Sequence, residues 1–148
     1  MRTNLVIYGI REPYRAAIAK AVGDRLDMPF CCLDGLIRYE AERYTLEYAA
    51  QDYKNIESRV VRQASSYADV VISLNSVAFE QPHNIDTLAN TGVMIWLKCA
   101  GPIADAGCHH GFRSCADIII EIDELSHEET FEAVIEGLRK HEEERVVR

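Results

Sequence analysis

Five short apolar runs, each separated from the next by a stretch with helical spacing, leave this chain few architectures to choose from. Residues 5–8, 29–33, 69–73, 92–97 and 116–122 read as strands, and residues 16–26, 34–50, 52–67 and 84–90 read as helices, with a further helix at the carboxyl end. Apolar strands alternating with helices predict an α/β chain, a three-layer α/β/α arrangement around a five-stranded parallel sheet. A length of 148 residues is a single-domain length, so residues 1–148 are read as one domain. Sheets of this kind bind ligands beyond the carboxyl ends of their strands. That rule directs attention to residues 9–15, to Asp34, to residues 73–76 and to Lys98 with Cys99.

The first of these places is the most informative. Strand 5–8 runs into Gly-Ile-Arg-Glu-Pro-Tyr-Arg-Ala at residues 9–16, and an alanine-rich helix follows. Strand, glycine, four-residue spacer and helix reproduce the layout of the phosphate-binding motif G-x-x-x-x-G-K-[ST]. The positions of the second glycine, the lysine and the hydroxyl residue hold Tyr14, Arg15 and Ala16. Tyrosine resists the positive φ that glycine accepts, Pro13 removes an N–H donor, and alanine has no oxygen for Mg²⁺.

Charge and cysteine content bound the partners. The chain carries a net charge of −8, and from Glu121 onward there are ten acidic and four basic residues. The acidic tail reads as the wet face of an amphipathic helix whose apolar positions are Phe131, Val134, Ile135 and Leu138, with Ser126 and Glu129 spaced as a capping box. An acidic chain without a basic stripe is a poor nucleic-acid binder. The apolar runs are strand-sized, so neither a spanning helix nor a secretory leader is expected, and five cysteines fit reduced thiols in the cytoplasm.

Over nearly its whole length the chain resembles the shikimate kinase family, a P-loop kinase-like fold. That family's second strand ends in an Asp-x-Asp pair, and Phe30-Cys-Cys-Leu-Asp34 keeps the second aspartate with Cys32 at the first. The resemblance implies that Asp34 contacts substrate hydroxyls and that the missing carboxylate belongs to the Mg²⁺ shell. Tyr53-Lys54-Asn55-Ile56-Glu57 is similar to the family's Phe-Arg-x-x-Glu, whose arginine grips the substrate carboxylate; lysine keeps the charge but not the planar fork. The family's third strand ends in three glycines where this chain has Ser73-Leu-Asn-Ser76, and its lid is matched by only about fifteen residues, 100–114, with Arg113 the lone arginine.

Two readings follow. In the first, the chain is a shikimate-kinase-like protein without catalysis or cofactor, retaining a small-anion or partner-binding regulatory role, with Asp34, Lys54, Arg11 and Arg15 as ligand-binding residues and a small anionic metabolite as ligand. In the second it is an active ATP-dependent kinase of a small alcohol, with Arg15 doing the lysine's work and ATP and Mg²⁺ as cofactors. Asp34 is also well placed to cap a helix beginning at Gly35, and the alternative for Arg11, Arg15 and Lys54 is pairing with Glu12, Asp34 or Glu57 in solvated ion pairs. Tyr39, Tyr44, Tyr48 and Tyr53 form a loose stripe read as core or groove lining, with a homodimer face as the alternative. Cys31, Cys32, Cys99, Cys108, His109, His110 and Cys115 lack metal-site spacing and read as buried thiols beside a polar loop, with no metal assigned.

Overall fold

A computed structural model of the chain describes residues 4–11, 13–43, 50–74, 81–99, 110–123 and 125–147, with the backbone alone at 43, 50–53, 110 and 145–147. The elements run β1 (Asn4–Tyr8), α1 (Tyr14–Leu26), β2 (Phe30–Cys32), α2 (Leu33–Arg43), α3 (Ala50–Ser65), β3 (Val71–Ser73), α4 (Pro82–Thr91), β4 (Gly92–Lys98), α5 (His110–Cys115), β5 (Ile118–Glu121) and α6 (His127–Val147). The five strands form one parallel sheet in the order β2-β3-β1-β4-β5. This is the α/β fold expected from the alternation of elements.

Side-chain alternation along β1 builds both layers of core. Val6 and Tyr8 face a cluster with Ile72, Met94, Trp96 and the helical residues Ile37, Val60 and Phe112. Leu5 and Ile7 face the opposite cluster, with Val71, Ile95 and Leu97 against Ile18 and Val22 of α1 and Val134 of α6. Strands buried on both faces need apolar residues at every position, and β1, β3 and the centre of β4 have nearly that. Asn4 is the exception that fastens the sheet edgewise. Fully buried, its side chain donates to the Tyr67 carbonyl at 3.0 Å and accepts from the Val70 N–H at 3.0 Å, setting β3 beside β1.

The capping box at α6 forms in both directions: the Glu129 N–H donates to Ser126 Oγ and the Ser126 N–H to Glu129 Oε1, each at 3.1 Å. Of the tail's apolar positions, Val134 is fully buried, and Phe131, Ile135 and Leu138 pack partly buried against the second cluster. Two expectations are corrected. Asp34 is not a cap, because α2 starts at Leu33 directly from β2 and already includes Asp34 in its first turn. Tyr39 does not line the core; it stands 59% exposed on α2. Tyr44 and Tyr48 lie outside the described residues.

Candidate functional site

The carboxyl ends of β1, β3 and β2 lie side by side, with Ser73 in register between Ile7 and Cys32. Gly9 leaves β1 at a φ of 111°, and a Cβ there would come within 2.5 Å of the Trp96 ring and 2.6 Å of the Leu97 carbonyl. Only glycine fits that turn. The chain then re-enters helix early. The Arg15 N–H donates to the Arg11 carbonyl at 3.1 Å and the Ala17 N–H to the Pro13 carbonyl at 3.0 Å, so α1 begins at Tyr14 and these amides serve the helix itself.

Arg15 lies across the space in front of the three strand ends. It is the bulkiest fully buried side chain among the described residues, at 1% exposure. Its Nη1 donates to the Ile10 carbonyl at 2.6 Å, its Nε to Ser73 Oγ at 2.9 Å, and its Nη2 to Asp34 Oδ2 at 2.7 Å. Asp34 is itself only 13% exposed, so the pair is a buried ion pair and not a solvated one. The Ile10 carbonyl faces this cation, where an anion-binding loop would present N–H groups.

Tyr14 does not fill the loop. Its ring turns outward onto α6, edge-on to His127 with centroids 4.0 Å apart, and its hydroxyl lies 3.1 Å from Thr130 Oγ1. Tyrosine at this position therefore ties the first turn of α1 to the first turn of α6, and Thr130 is wholly buried beneath the contact.

The model of the family described as shikimate kinase matches residues 15–102, more than half of the chain. The chain belongs to the shikimate kinase family. It is 28% identical over 98 residues to the shikimate kinase of Symbiobacterium thermophilum, a match covering 64% of this chain and 56% of that one. The match to the shikimate kinase of Ruegeria pomeroyi is 28% over 102 residues, covering 66% and 52%. The aligned part thus spans about half the length of these curated relatives. Among solved structures, the shikimate kinase of Acinetobacter baumannii in complex with shikimate superposes with a TM-score of 0.74 at 11% identity, covering 95% of this chain and 94% of that one. The Aquifex aeolicus shikimate kinase gives 0.72 at 14%, covering 93% and 97%. At identities this low, the superpositions show a shared fold alone.

The remaining positions of this shikimate kinase family chain take varied places. Lys54 is exposed on α3, one turn before Glu57. Glu57 is 4% exposed and accepts from Gln81 Nε2 at 2.7 Å and Asn84 Nδ2 at 3.5 Å, which binds α3 to the start of α4. Arg11 is exposed on the loop. The structure thus joins Arg15 to Asp34 and leaves Arg11 and Lys54 at the surface of the same end. Arg113 on α5 lies over the Trp96 ring at 5.5 Å, with Lys98 over the same ring at 5.7 Å. Three contacts escaped the sequence reading, although Ser73 was among the strand-end residues it singled out: those of the Ser73 hydroxyl, the inward Ile10 carbonyl and the Thr130 anchor. Ser73 alone left a signal, as a hydroxyl residue at a strand's carboxyl end.

Among the described residues no three His, Cys, Asp or Glu side chains lie together as a metal set; Cys108 and His109 fall outside those residues. Burial raises the Cys115 thiol, and burial also holds the Tyr8 hydroxyl protonated, where it donates to the Phe112 carbonyl at 2.6 Å. Burial, followed by the neighbouring Cys32, pushes the Cys31 thiol from 9.0 up to about 11. Between these values the unfolded chain releases the proton that the folded chain keeps, so Cys31 contributes stability below pH 9 that is lost as the pH approaches 11. Urea unfolding at stepped pH should show this decline, and Cys31→Ser should lessen it, leaving the part that comes from Cys115 and Tyr8.

Proposed function

We propose that this chain is a non-catalytic member of the shikimate kinase family whose phosphate loop is filled by its own Arg15, and that its role is regulatory binding of a small anionic metabolite. The observation that carries the reading is the Arg15 guanidinium, bonded at once to Ile10, Ser73 and Asp34. The residues do not fit a Mg²⁺-nucleotide. Ala16 offers no oxygen, Cys32 replaces a carboxylate, the Arg15 and Ala17 amides are spent in α1, and Asp34 faces a cation instead of a substrate hydroxyl.

Phosphoryl transfer rests on positioning and on neutralising charge, with little covalent chemistry for the protein to do. Loss of a single preorganised donor costs on the order of 2.7–4 kcal/mol in comparable sites. Several such losses together leave no measurable turnover. Arg11 and Lys54, the exposed cations of this end, are the contacts proposed for the anion. A coupled assay of ADP release with ATP, Mg²⁺ and shikimate should give a rate equal to the protein-free blank; turnover that disappears in Lys54→Ala would contradict the proposal. Calorimetric titration with shikimate, a small carboxylate, reads the binding role, and its heat should weaken in Arg11→Ala and Lys54→Ala.

A further inference from the structure

The opposite pole of the sheet carries a cavity of about 440 Å³. It lies beneath the amino ends of the strands. Leu5 and Val93, register partners in β1 and β4, form its floor, Leu26 and Met28 at the end of α1 form one wall, and Ile135 and Leu138 of α6 form the other. Its size falls within the range of roughly 300–1,000 Å³ usual for small-molecule sites, and its walls are apolar as such sites require. Leu26, 40% exposed, is one of the few large apolar side chains among the described residues to reach solvent, and it does so here.

Four polar side chains meet this cavity, two of them carboxylates. Asp69 and Glu142 stand at its rim, and among the described residues neither is engaged in an ion pair. Arg139 also lines it, but its guanidinium is already held by Glu136 and Glu143 of the same helix. His141 completes the lining. Two rim carboxylates therefore stand beside a cation that two further carboxylates of α6 already neutralise, on a chain of net charge −8 that attracts cations at long range.

We infer that this cavity is a binding site for a small amphipathic cation, an alkyl or arylalkyl ammonium whose apolar body lies on Leu5, Val93 and Leu138 and whose head group meets Asp69 and Glu142. The site is separate from Arg15 and Asp34 and does not rest on the function proposed for that end. Three probes of equal length test it by titration calorimetry on the full chain: n-octylammonium, 1-octanol and octanoate. Octylammonium should bind with one-to-one stoichiometry, about tenfold tighter than octanol, and octanoate weakest of all. In Asp69→Asn/Glu142→Gln, two surface changes compatible with folding, octylammonium should fall to the affinity of octanol. In Leu138→Trp, with the cavity filled from a half-buried position, both should be lost while the thermal transition stays cooperative. Octanoate binding as tightly as octylammonium, no octylammonium binding, or a preference unchanged in the double variant would overturn the inference.

Discussion

Replacing Arg15 with methionine is expected to lower the unfolding free energy by about 3–5 kcal/mol, the cost of breaking a buried ion pair by removing one partner. An exposed pair would be worth only about 0–1 kcal/mol. Arg15 is 1% exposed and Asp34 13%, and the guanidinium also satisfies the Ser73 hydroxyl and the Ile10 carbonyl, so the larger figure applies. Asp34→Leu should cost a similar amount, because it strands the guanidinium away from water. The double variant Arg15→Met/Asp34→Leu should cost clearly less than the two single changes added together, since neither charge is then left alone. Urea unfolding at neutral pH measures all three. If a single variant falls below the folding threshold, Arg15→Lys keeps the charge and loses the fork, and should cost roughly 1.5–3 kcal/mol. A loss under about 1 kcal/mol in Arg15→Met would show the pair to be effectively solvated.

The fold was legible because its signal is local. Each strand is a compact apolar run, and each inner helix repeats its apolar residues at helical spacing, so the elements could be placed from neighbours in sequence alone. The capping box of Ser126 and Glu129 was readable for the same reason. The site was legible only in part. Arg15 and Asp34 stood out, one in a phosphate-loop frame and the other at a strand end, and their pairing was one alternative among several. Their direct bond depends on the strand order, which places β3 between β1 and β2 so that Arg15 reaches past Ser73 to Asp34. Nothing in the spacing of residues 15, 34 and 73 encodes that order. The direction of Tyr14 was equally hidden, because it is set by Thr130 and His127, more than a hundred residues away.

The second large effect concerns nucleotide. A working loop grips phosphate with backbone amides, a lysine and a metal-binding hydroxyl. Here the Arg15 and Ala17 amides close helical bonds, and a bound phosphate would have to displace Asp34 from the guanidinium and turn the Ile10 carbonyl away. Arg15→Lys alone should therefore restore nothing, because the helical turn that consumes the amides remains. The decisive measurement is calorimetric titration of the full chain with ATP, with and without Mg²⁺. A loop closed by Arg15 gives no Mg²⁺-dependent heat up to millimolar ATP. Micromolar binding that requires Mg²⁺ would contradict it.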